Sequence, residues 1–177
     1  MITREIILQS FRTVRSNTIE VAKDIPEEKY DFRAAPETMT VLELFRNVIR
    51  ATEFMTGIAL YEGEIKITPE TRAEWGKKLC PTDFESLKTK EEIIAALTSS
   101  YENIEKRVLA ANLDFLNSTF VAPDKATKVR LWVVQCAKEQ EMCTRATLFQ
   151  IERMLGIVPH TTRRQQEREA KAKALQA

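Results

Sequence analysis

Histidine occurs once, at His160, and the three cysteines, Cys80, Cys136 and Cys143, contain no CxxC pair. A structural zinc site draws about four closely spaced Cys or His ligands, so the chain cannot assemble one from a single neighbourhood. An odd cysteine count suits a reducing compartment, where a thiol behaves as a small apolar group. Glycine and proline are scarce, at four and six in 177 residues, which excludes collagen-like chains. No sign of charge dominates: 27 Lys+Arg stand against 26 Asp+Glu, a formal charge of +1. Without a basic surface to displace counterions, nucleic acid is not an expected partner. No run of about 18 apolar residues occurs, and Met1-Ile2-Thr3-Arg4-Glu5 places a charge pair where a signal peptide needs an apolar stretch. No membrane partner is expected, and the expected address is cytoplasmic. What is present suffices for one soluble domain. The chain is 44% hydrophobic, and at this length folding hides roughly 70% of the extended chain's surface.

The prolines leave four Pro-free stretches, 1–25, 37–68, 82–122 and 124–158, each of which reads as a helix. In the first, Ile7, Phe11, Val14, Thr18, Val21 and Ile25 step by three and four, and Arg4, Arg12, Arg15 and Lys23 leave that face. The second opens with Thr40-Val41-Leu42-Glu43, a capping box in which hydroxyl and carboxylate each satisfy a backbone N–H. Val41, Leu44, Phe45, Val48, Phe54, Met55 and Ile58 carry its buried side. Thr89-Lys90-Glu91-Glu92 opens a third, with Ile93, Ile94, Leu97, Tyr101, Ile104 and Val108 facing inward and a soft end near Leu113. The fourth takes Asp124 as N-cap, buries Val129, Trp132, Val133, Cys136, Met142, Leu148, Ile151 and Leu155, and stops at Gly156 with Pro159 beyond. Thr68-Pro69-Glu70 starts one short extra helix between the second and third, over 69–78. No alternating strand pattern competes. The expectation is an all-α four-helix bundle over residues 1–160 and a charged tail over 161–177 that reads as a solvated or fraying helix. Long links after the first and second helices suit a binding mouth.

The fourth helix carries an anomaly. If Cys136 faces the core, Gln140, Cys143 or Thr144, and Thr147 interrupt its apolar stripe. Unpaired buried amides cost roughly 1–3 kcal/mol, so a cavity flanked by Asn47, Gln140 and Thr144, open to a small-molecule ligand, is one reading. The other is that these groups bond one another or water, or face solvent, and serve helix register.

Ile25-Pro26-Glu27-Glu28-Lys29-Tyr30-Asp31-Phe32-Arg33, followed by Ala35-Pro36-Glu37-Thr38-Met39-Thr40-Val41-Leu42-Glu43-Leu44, resembles the entry to helix two of the DinB-like (YfiT-like) metal-dependent family. Arg145, Arg153 and Leu155-Gly156-Ile157-Val158-Pro159 are similar to the close of its last long helix. The resemblance implies a four-helix bundle, commonly dimeric. In it, one histidine of helix two and an HxxxH pair of the last long helix bind a divalent metal, and some members are thiol-dependent transferases or isomerases. Carried over residue by residue, the histidine positions fall on Asn47, Gln140 and Thr144. An amide oxygen and a hydroxyl are weak ligands for a late transition metal, so neither the family's metal nor another cofactor is expected.

Other residues do not rebuild a site. Cys136 and Cys143 lie about 10 Å apart along one helix, too far to chelate one ion. Glu43, Glu139 and Glu141 read as solvated, His160 as a surface residue, and Trp132 as core. Cys143 has no histidine to activate it. Two functions follow: a metal-free binding protein of unassigned reaction with a pocket between the second and fourth helices, or a divalent-metal-dependent transferase or hydrolase using a displaced metal site. Paired apolar residues such as Ile6-Ile7 and Ile93-Ile94 add the expectation of a homodimer.

Overall fold

The structure, a computed structural model, describes residues 3–175. Residues 1–2 of the expected bundle and 176–177 of the expected tail lie outside the described residues. Helix α1 spans Arg4–Asp24, with the Thr3 hydroxyl accepting from the Ile6 N–H. After a one-turn 3-10 helix at Glu27–Lys29 comes α2, Val41–Leu60. The expected capping box starts α2: Glu43 N–H donates to Thr40 Oγ1 (3.1 Å) and Thr40 N–H to Glu43 Oε2 (2.7 Å). A second capping box, Thr89 with Glu92, opens α4, Lys90–Ala110. Between them lies the short extra helix α3, which begins at Arg72 rather than at Pro69 and runs to Leu79. Helix α6, Arg130–Met154, completes the four long helices of an all-α bundle, and α7, His160–Ala174, follows it.

The link from α4 to α6 departs from expectation. Asn112 caps a one-turn helix α5, Leu113–Asn117, and an antiparallel hairpin follows, β1 (Thr119–Val121) with β2 (Thr127–Val129). Strands of three residues are too short for alternation to register. Asp124 is therefore not an N-cap. It sits in the hairpin turn beside Pro123, its Oδ1 accepting from the Ala126 N–H (3.1 Å), while Lys125 takes a left-handed φ of 64°.

Helix α6 runs antiparallel to α2. At its start Arg130 lies between the Phe115 and Phe120 rings and donates to the carbonyls of Ala59 (2.8 Å) and Tyr61 (2.7 Å). At its far end Leu148 and Ile151 share a cluster with Val41, Phe45 and Ile49. A second apolar cluster gathers Ile7, Leu8, Phe11, Tyr101, Ile104, Val134 and Ala137. On each of the four long helices the break between clusters falls on a polar group: Arg15 and Thr18, Thr52, the Leu97 carbonyl, and Glu141.

These groups form one buried knot, which corrects the expectation that Arg15 and Glu141 face water. Arg15 Nε and Nη2 each donate to Glu141 Oε2 (3.0 and 2.9 Å), Nη1 donates to the Leu97 carbonyl (2.6 Å), and Nη2 also reaches Thr52 Oγ1 (3.0 Å). Thr18 Oγ1 donates to Glu141 Oε1 at 2.7 Å. A buried charge is tolerated when its lone pairs and protons are met in this way. Two further corrections concern α6 and its sequel. Trp132 is 54% exposed, because Leu131, Val133 and Val134 take the inward positions, and Met142 likewise faces outward. His160 is buried, its Nε2 lying 3.1 Å from Asn17 Oδ1.

Candidate functional site

Along α2, Asn47, Arg50 and Phe54 follow helical spacing on a side away from the fully buried stripe. Arg50 Nη2 donates to Asn47 Oδ1 at 2.6 Å. Asn47 and Arg50 line a cavity of about 410 Å³ whose opposite side is Arg33, Met39 and Phe84. Arg50 and Phe84 also border a larger cavity of about 1140 Å³, reaching to Phe54, Arg72, Gly76 and Lys77. The two spaces meet at Arg50 and Phe84 and form a cleft over α2.

Two glycines place and open the α3 side of this cleft. A Cβ on Gly57 would lie 2.5 Å from the Leu79 carbonyl oxygen, so only a bare backbone lets the end of α3 rest on α2. Leu79 then packs on Ile58 and Ile65, and Trp75 Nε1 donates to the Lys66 carbonyl (2.8 Å). Gly76 borders the cavity itself, and a Cβ there would meet nothing within 4 Å.

The chain after α3 is clamped by Glu53, which lies buried on α2. Its carboxylate accepts from Thr82 Oγ1 (2.6 Å), the Thr82 N–H (3.1 Å) and the Cys80 thiol (3.2 Å). Burial, aided by the Glu53 charge, pushes the Cys80 thiol up to about 12. Cys80 is thus a protonated donor rather than a thiolate nucleophile. Arg50, Arg72 and Lys77 line the larger cavity, and among the described residues no carboxylate lies within ion-pair distance of them. Asp83, Glu85 and Asp124 border the same space, and Asp124 is taken by Lys128 (2.5 Å).

Of the three residues singled out from sequence, Asn47 borders the smaller cavity, whereas Gln140 and Thr144 do not. Thr144 is buried and donates to the Gln140 carbonyl (3.2 Å), the Gln140 side chain is exposed, and no hydrogen bond joins the three side chains. Among the described residues no three His, Cys, Asp or Glu side chains gather as a metal-binding group, and no helix is long and apolar enough to cross a membrane.

A third buried acid, also outside the cleft, lies at the junction of α1, α6 and α7. Glu152 is sealed from solvent, and among the described residues neither carboxylate oxygen has a partner. Burial, with Asp24 adding, raises it to about 7, against the opposing pull of Arg163 and Arg153. Arg163 Nη2 holds Asp24 at 2.9 and 2.7 Å, and burial pushes His160 below its ordinary value. Sequence reasoning missed Glu53, Glu141 and Glu152. Their signal was position: each falls on the apolar stripe of its helix, as Glu152 does four residues after Leu148.

The sequence profile of the DinB superfamily matches residues 10–142, and the chain belongs to that superfamily. Among solved structures, a histidine-to-alanine variant of the mycothiol-dependent maleylpyruvate isomerase has a similar fold, with a TM-score of 0.58 at 13% identity. The match covers 78% of this chain and 57% of that one, so the chain spans little more than half the length of that neighbour. Comparison with curated proteins gives no match.

Proposed function

We propose that the protein is a ligand-binding member of the DinB superfamily, whose cleft over α2 takes a small organic molecule and whose Asn47, Gln140 and Thr144 hold no metal. The observation that carries this reading is the built cleft: about 1140 Å³ of space floored by side-chain-free Gly76 and walled by a segment that Glu53 clamps with three hydrogen bonds. Pockets of this size suit small ligands. The donor set argues against the superfamily's metal. Asn47 Oδ1 already accepts from a guanidinium, Thr144 offers a hydroxyl, and Gln140 a neutral carboxamide. Late transition metals favour imidazole or thiolate over such oxygens.

Elemental analysis of untagged protein tests the metal half of the reading. Sub-stoichiometric zinc and nickel are expected, and near-stoichiometric metal bound between α2 and α6 overturns it in favour of a metal-dependent transferase or hydrolase. A thermal-shift series of small aromatic carboxylates, amides and amines tests the cleft. Binding at 100 times the dissociation constant adds about 2.7 kcal/mol, and a Gly76→Leu variant, which fills the floor, is expected to lose the shift. A hit that shifts both proteins equally refutes the cleft.

We further infer a cytoplasmic homodimer. Ile6 (53% exposed) and Trp132 (54%) line one shallow apolar recess with Ile7, Val129 and Leu131, more apolar surface than a lone bundle needs outside. Light scattering at micromolar concentration is expected to give twice the chain mass, and a monomer refutes the dimer.

A further inference from the structure

We propose that the Arg50 guanidinium stands in for the superfamily's metal as the resident cation of the site, so that the cleft selects a small organic monoanion with an apolar body. This rests on the cleft reading above. Arg50 lies one helical turn beyond Asn47, the residue at the helix-two histidine position, and donates to Asn47 Oδ1 at 2.6 Å. That bond does two things. It turns the best oxygen donor of the position toward a fixed positive charge, and it holds the guanidinium plane in place at the junction of the two cavities.

A metal bound to Asn47 Oδ1 at about 2.0–2.2 Å would sit close against the guanidinium, with like charges repelling at short range. Arginine has five N–H donors in a planar fork that suits a carboxylate bidentately. The contact with Asn47 uses one, and no other hydrogen bond from the Arg50 side chain is present among the described residues.

The remaining lining sets ligand charge and body. Arg50, Arg72 and Lys77 face the larger cavity against Asp83 and Glu85, since Asp124 is occupied by Lys128. Arg50, held at the junction by a single bond, offers one fork, which matches one carboxylate better than two. Phe54, Ile67 and Phe84 supply the apolar walls.

Isothermal titration with 1-naphthoate, 1-naphthamide and 1-naphthylmethylamine separates the possibilities. Wild type is expected to bind the carboxylate at least about tenfold more tightly than the amide, and the amine not at all, in line with the strength of charge-assisted pairing. Arg50→Gln, an exposed change, is expected to erase the preference for carboxylate over amide, whereas Arg50→Lys retains part of it, since a point charge replaces the fork. Equal affinity for carboxylate and amide in wild type, or a preference that survives Arg50→Gln, overturns the role of Arg50. In either case Gly76→Leu still abolishing binding leaves the cleft reading intact. Failure of all three probes to bind wild type, or binding indifferent to Gly76→Leu, strikes the cleft reading itself. Stoichiometric zinc uptake by wild type that Asn47→Ala removes also overturns the substitution of metal by arginine.

Discussion

Glu141 and Glu152 occupy the same helix about three turns apart, and both are shut off from solvent, yet they live in opposite surroundings. Glu141 meets the Arg15 fork and the Thr18 hydroxyl; Glu152 meets no donor among the described residues. The first is a charge built into the centre of the bundle. The second is pushed to about 7 and is carried largely as a neutral acid below that pH. Burial alone therefore decides little, and the donors that neighbouring helices bring decide whether a buried carboxylate braces the fold or strains it.

The sharpest way to break the comparison is to give Glu141 the isolation of Glu152. Arg15→Met strands a buried carboxylate and is expected to lower stability by about 3–5 kcal/mol in urea unfolding, while Arg15→Met with Glu141→Leu recovers most of the loss. A double variant as unstable as the single one would show that the pair does more than neutralise itself.

The converse is to relieve Glu152. Its native pKa lies above its ordinary 4.5, so between about 4.5 and 7 the native state holds more protons than the unfolded one and stability falls as pH rises through that window. Glu152→Gln removes the fall. It is expected to gain up to about 3 kcal/mol at pH 8 and nothing near pH 4, because one pKa unit corresponds to about 1.4 kcal/mol. Parallel unfolding curves at both pH values would refute this.

Glu53 is an intermediate case, sharing its carboxylate among three donors of one short segment. Thr82→Val deletes the hydroxyl donor and is expected to cost about 2 kcal/mol, with faster hydrogen exchange confined to the chain after α3. The smallest effect belongs to Arg163→Gln. It releases Asp24 from a half-exposed pair worth under about 1 kcal/mol, and by removing a favourable neighbour it moves the Glu152 titration, followed by NMR, to higher pH.

The four long helices were legible because their signals are local: two complete capping boxes and apolar residues at three- and four-residue spacing. The hairpin was not, since three-residue strands carry no period. Glu53, Glu141 and Glu152 fall on apolar stripes and Arg15 reads as leaving one, but what distinguishes a buried charge from a solvated one is its partner on another helix, at a separation that chain periodicity cannot reveal. The candidate site divides the same way. Asn47 was legible by its place after a capping box, whereas the roles of Arg50, Gly57 and Gly76 depend on where α3 comes to rest.

The polar knot at the waist of the bundle has a mechanical consequence. Sliding one greasy helix past another by a single turn is a tolerable error in an all-apolar core, but here the same slip would tear a guanidinium from its carboxylate in the dry interior. The waist therefore acts as a registration pin. Breathing that begins at either mouth of the bundle should stop there, leaving two compartments that loosen separately while the alignment of the four rods persists.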